Sequence, residues 1–202
     1  RNCALNRKKQ SSQEKPGELI SKPMSPHIDE NIKSLQVLLE NCSDAVLREF
    51  MIGTESPTRA LIVFFDGLVN RQQLDAHVMK PLLLEVEMIQ NPASVLEQSD
   101  LLKTMEQHII AVSEMKKVDS FEEIIHKISS GDSVLLIDGY TYGLVIATRG
   151  WEARPISTPE NELVVFGPKE GFVENLRFNT ALIRRRLKSG HFKIEFHKAY
   201  IG

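Results

Sequence analysis

Ala60-Leu61-Ile62-Val63-Phe64-Phe65-Asp66-Gly67 is the stretch on which the fold turns. Its six consecutive apolar residues make a strand-length run rich in β-branched and aromatic side chains, without the polar positions of a surface helix. Such a run reads as a strand buried on both faces, and Asp66-Gly67 closes it with turn chemistry. Val134-Leu135-Leu136-Ile137-Asp138-Gly139 shares the plan. Two such exits do not establish a repeat, because Asp-Gly is a common way to leave a strand. The second run also opens a β-hairpin: Ser133 to Ile137 and Gly143 to Thr148 flank Asp138-Gly139-Tyr140-Thr141-Tyr142.

Helical patterns surround these strands. Ser25-Pro26 opens one whose Ile28, Ile32, Leu35, Leu39 and Cys42 fall along one stripe. Gln72 to Met79 is expected to be helical and to break near Pro81, where a backbone donor is lost. Asn91 to Met115 mixes leucines with charges and reads as mostly helical. Ser120-Phe121-Glu122-Glu123 is a capping-box arrangement launching Phe121 to Ile128, with Gly131 as the stop. Residues 168–188 read as one long helix: Pro168 suits its first position, and Phe172, Leu176, Ile183 and Leu187 share a face. Glu170 and Glu174 sit near its positive end, and Arg184, Arg185, Arg186 and Lys188 near its negative end. Glu162 to Phe166 and Phe192 to Phe196 are expected as short strands.

These elements predict an α/β (α+β) fold: a small mixed-sheet subdomain with flanking helices, then a long connector helix and short strands. The expected division is a basic, mobile tail over 1–27, an α/β subdomain over 28–158, and a connector over 159–202. The tail carries Arg1, Arg7, Lys8, Lys9, Lys15 and Lys22 and too little apolar surface to offset its ordering entropy.

Composition narrows the function. With 202 residues, 42% of them hydrophobic, and a net charge of −2, the chain lacks the cationic surplus that nucleic-acid binding requires. Cys3 and Cys42 are far apart and form no ligand motif, which fits a reduced, cytoplasmic setting. No apolar run approaches the roughly 20 residues needed to span a bilayer. The chain starts at Arg1 rather than methionine and reads as a piece of a longer protein. The six histidines are scattered, and no HExxH, P-loop, GxSxG or GxGxxG occurs, so neither an enzyme nor a metal or cofactor site is expected.

Several residues remain as candidates. Asp66 and Asp138 follow buried-type strands, as turn aspartates or as polar contacts to a small molecule. Trp151 is either a lid on the core or a ligand platform. Arg177, Arg184, Arg185 and Arg186 are either a solvated helix end or contacts to a partner.

The run ATRGWEARPISTPENELVVFGPKEGFVENLRFNTALIRRRLK, residues 147–188, resembles the N-terminal cytoplasmic region of the A subunit of bacterial spore germinant receptors, the GerA family. The likeness continues upstream in ENIKSLQVLLENCSDAVLREF, LIVFFDGLV and SSGDSVLLIDG. It implies a nutrient-sensing receptor of the spore inner membrane, with this region on the cytoplasmic side and the membrane reached through a later region. It further implies B and C subunits as partners, with copies of itself as a further candidate. The role implied is a non-catalytic assembly or coupling module; the alternative is direct binding of an amino acid or sugar germinant near Asp66, Asp138 and Trp151.

Overall fold

The structure, a computed structural model, describes residues 16–53, 57–85, 116–150, 172 and 174–197. Its centre is β2 (Thr58–Phe65), which forms a hairpin with β1 (Ala45–Ile52) on one side and pairs with β4 (Ser133–Ile137) on the other. β5 (Gly143–Ile146) returns from β4, and β3 (Lys116–Val118) pairs beside it, giving the order β1-β2-β4-β5-β3. All four ladders are antiparallel, so the expected mixed sheet is corrected to an antiparallel one. A continuous apolar strand does not require parallel neighbours; it requires only that both faces be covered.

Both faces are covered, and the period of two in a strand sorts the side chains between them. Leu61, Val63 and Phe65 of β2 join Val134 and Leu136 of β4 on one side. Ala60, Ile62 and Phe64 join Leu135 and Ile137 on the other. The first face is covered by α1 (Pro16–Ile20), α2 (Ile28–Leu38) and α4 (Phe121–Ser129). The second is covered by a helical segment that begins at α3 (Arg71–Leu74) and continues through two π-helical stretches, Asp75–Met79 and Pro81–Glu85. The path therefore carries on past Pro81, in wider turns, where the sequence predicts a break. A one-residue slip of β2 would exchange its two sets of side chains between the cores, which fixes its register.

Local sequence explains the helix ends. Ser120 Oγ accepts from the Glu123 N–H at 3.4 Å, as the capping box requires, and the hairpin forms with Ser133 opposite Ile146. α2 starts two residues after Pro26, and the cap on its Ile28 N–H comes from Asp138 Oδ1 at 2.9 Å, 110 residues away. Leu19 and Met24 are buried in the first core, so residues 16–27 belong in part to the folded unit and not to a tail.

The last helix, α5, is Leu176–Leu187, shorter than the 168–188 expected, with Asn175 as its N-cap. The Asn175 side chain accepts from the N–H groups of Arg177 and Phe178, and Lys188 ends the helix in the left-handed region. Gly67, at φ +87°, lets the exit of β2 approach α5: a side chain there would meet the Arg177 carbonyl at 3.0 Å. Beyond α5 the chain touches the head of β1 at a single parallel bridge, Cys42 with Ile194, in place of the strand expected over 192–196. The expected strand at 162–166, the helical stretch at 91–115 and the proposed helix start at 167–168 lie outside the described residues.

Candidate functional site

α5 meets the sheet through two aspartate–arginine contacts. Asp44, just before β1, is 4% exposed and Arg184 2% exposed. Arg184 Nη2 donates to Asp44 Oδ1 at 2.6 Å, and its Nε donates to the other carboxylate oxygen. Its remaining fork, Nη1, donates to the Phe192 carbonyl at 3.1 Å, and the guanidinium carbon lies 3.6 Å from the centre of the Phe65 ring. This is a bidentate, fully desolvated ion pair completed by a backbone acceptor and an aromatic face. The expectation that Arg184 faces a partner is therefore corrected: it is an internal clamp, since a buried guanidinium needs its charge and donors satisfied inside the fold.

The second contact lies at the exit of β2. Asp66 Oδ1 accepts from its own turn at Gly67 N–H and from Arg71 Nε at 3.0 Å, while Oδ2 accepts from Arg177 Nη2. Both guanidiniums are about half exposed. They border an open cleft of about 310 Å³ lined by Asp66, Asn70, Arg71, Gln72, Gly150 and Arg177, among others. Its wall is set by backbone: Asn70 N–H donates to the Thr148 carbonyl at 2.9 Å and Gly150 N–H to the Leu68 carbonyl at 3.1 Å. A Cβ on Gly150 would sit 2.5 Å from the Asn70 nitrogen, so this approach demands glycine. Below it, Arg149 grips the buried Asp132 with two bonds of 2.8 and 2.9 Å, which raises the Arg149 pKa further above its ordinary value.

Two apolar residues of α5 and one just before it are exposed beside Arg177 and Arg186. Phe172, Leu176 and Leu187 are 72%, 63% and 53% exposed. With Leu182, Ile183 and Arg186, Phe172 and Leu187 border a shallow groove of about 290 Å³. Of the stripe predicted from the sequence, Phe172, Leu176 and Leu187 are exposed and Ile183 is half-buried, whereas Thr180, Ala181, Leu182 and Arg184 are buried against the fold.

Sequence and structure agree unevenly on the candidates. Asp66 and Arg177, which the sequence offers for different roles, are brought together across 111 positions. Asp66 and Asp138 are not: in antiparallel β2 and β4 the exits lie at opposite ends of the sheet, and Asp138 caps α2. A single pocket holding both is thereby ruled out. Arg185 is half-buried and Arg186 exposed beside the groove, whereas Trp151 lies outside the described residues. Arg71, Asn70 and Gly150 had no signal in the sequence; only the β2-exit geometry gathers them. His126, His191 and His197 are exposed, and among the described residues no group of three His, Cys, Asp or Glu is placed to hold a metal.

Among the described residues the architecture is a two-faced antiparallel sheet flanked by helices, with an arginine-anchored helix after it. The crystal structure of the N-terminal domain of the A subunit of the Bacillus megaterium spore germinant receptor GerK3 superposes with a TM-score of 0.64 at 25% identity, covering 84% of this chain and 58% of that one. The family of Bacillus/Clostridium GerA spore germination proteins matches residues 33–200, and the chain belongs to that family. Spore germination protein GerLA of Bacillus cereus is 31% identical over 173 residues, 86% of this chain. An uncharacterized membrane protein, YfkQ of Bacillus subtilis (strain 168), is 32% identical over the same share. The chain spans about a third of the length of these relatives (33% and 32%). Among the described residues no helix is long and apolar enough to cross a membrane.

Proposed function

We propose that this chain is the part of a germinant receptor A subunit that couples the rest of the subunit to its partners, and that it does so without catalysis. The observation that carries this is α5, clamped by Asp44–Arg184 and Asp66–Arg177 while its Leu176 and Leu187, with Phe172 just before the helix, are exposed to solvent. A rigidly held helix with an uncovered apolar stripe is what a load-transmitting contact needs, because the stripe gains by burial and the clamps prevent it from turning away.

The occupant we assign to the stripe is the remainder of the A subunit's own N-terminal region. The chain matches 58% of the solved GerK3 domain, so a large share of that domain lies outside the match. The setting is the cytoplasmic side of the spore inner membrane, alongside B and C subunits. The test is a Leu176→Glu/Leu187→Glu pair in the full-length protein, with germination rate and subunit level followed in spores. Both side chains are more than half exposed, so the isolated chain is expected to keep its unfolding midpoint. Slow germination or depleted A subunit is expected, and crosslinking from position 187 identifies what covers the helix. Normal germination and normal subunit levels would remove the coupling role; crosslinks only to another subunit or a second copy would reassign the occupant.

A further inference from the structure

We infer that the cleft at the exit of β2 binds a small soluble oxyanion, a carboxylate or phosphate group, between Arg71 and Arg177. This goes beyond the coupling role and does not rest on it. Two guanidiniums converge on one carboxylate there, so among the described residues the cluster carries one positive charge in excess. Asp66 takes only part of what they offer: Arg71 commits its Nε and Nη2, and Arg177 a single Nη2, of the five donors each side chain carries. No other partner of either guanidinium is found among the described residues.

Burial distinguishes this cluster from the Asp44–Arg184 clamp. There the arginine is sealed and its three nitrogens all have acceptors, so nothing remains for a ligand. Here both arginines are about half exposed at the rim of a cavity of about 310 Å³, at the low end of the sizes typical of small-molecule sites. The planar fork of arginine matches carboxylate and phosphate oxygens with two parallel bonds, which selects oxyanions over halides. Gln72 and Asn70 supply neutral polar groups along the same wall. Gly150 keeps that wall free of a side chain. Asp66 then competes with the ligand for the two guanidiniums.

The competition gives the inference a test that a merely structural triad fails. Amide-resolved NMR of the 202-residue chain follows Gly67 and Gly150 during titration with potassium phosphate and with potassium acetate, each against potassium chloride at matched ionic strength. Saturable shifts with phosphate or acetate and none with chloride are expected, and the better anion names the headgroup. R71Q and R177Q should each weaken binding about tenfold or more, since each removes charge-assisted bonds. D66N should tighten it, because both guanidiniums are released; that gain cannot come from misfolding. Equal shifts with chloride, an unchanged response in R71Q/R177Q, or weaker binding in D66N would overturn the inference. So would binding to phosphatidylglycerol vesicles with no response to either free anion, which would assign the cleft to a membrane surface.

Discussion

Removing the carboxylate of Asp44 is the sharpest probe of how this fold is held. In Asp44→Ala the Arg184 guanidinium stays 98% covered while losing both bonds of its bidentate pair, leaving only the Phe192 carbonyl and the Phe65 ring as partners. Breaking a buried pair from one side costs about 3–5 kcal/mol, because the remaining charge is desolvated without compensation. The Phe65 ring is a partner of the guanidinium before and after the substitution, so it does not offset this loss. Even a loss of about 3 kcal/mol would consume a large fraction of the roughly 5–15 kcal/mol that stabilises a domain.

The assay is urea unfolding of the isolated chain followed by far-ultraviolet circular dichroism, with Asp44→Ala, Arg184→Met and Asp44→Val/Arg184→Met compared at constant slope. Each single variant is expected to lose about 3 kcal/mol, and the double variant to recover most of it, since apolar replacement of a whole buried pair is often neutral. A loss under about 1 kcal/mol for Asp44→Ala, the range of exposed pairs, would refute the reasoning. So would a double variant as unstable as the sum of the singles. The same logic bears on germination: Arg184→Glu places two carboxylates in one buried site, so its phenotype reports unfolding and not an interface.

Two further outcomes concern Asp138 and Tyr140. Asp138→Ala removes the acceptor for the Ile28 N–H and should cost about 1 kcal/mol in urea unfolding, with Asp138→Asn losing less. Tyr140 has its pKa raised, first by burial and second by Tyr142, so the folded state holds the neutral phenol. The unfolded chain then ionises first: stability should be unaffected below about pH 10 and fall as pH rises above it, more weakly in Tyr140→Phe, as read from urea unfolding at each pH.

The parts of the fold written in local patterns were legible. The capping box at Ser120, the hairpin after Ser133 and the double-sided burial of β2 are each fixed by residues within a few positions of one another. β1 was not legible, because Arg48 and Glu49 interrupt its pattern and an edge strand needs no continuous apolar face. The direction of pairing was not legible either, since burial of both faces comes from the helices that cover them. α5 misled for a related reason. Its apolar spacing resembles a packing face, whereas the residues that are buried are Thr180, Ala181, Leu182 and a charged residue whose partner lies 140 positions earlier. No periodicity reveals that Arg184 is neutralised inside the protein.

The two arginine anchors also define how α5 can move. Arg177 and Arg184 are seven residues apart, so at about 1.5 Å per residue the helix is pinned at points roughly 10 Å apart. The inner pin is sealed from solvent and the outer one stands at an open cleft. An oxyanion that draws Arg177 from Asp66 would therefore release one end only, leaving the helix to pivot about Asp44–Arg184. Leu176, adjacent to Arg177, would travel with the released end, and Leu187, one turn beyond Arg184, would stay close to the pivot. Coupling between cleft and stripe should consequently appear at Leu176 and not at Leu187. A probe at position 176 that is indifferent to D66N and to bound anion would show that the cleft and the helix face act independently.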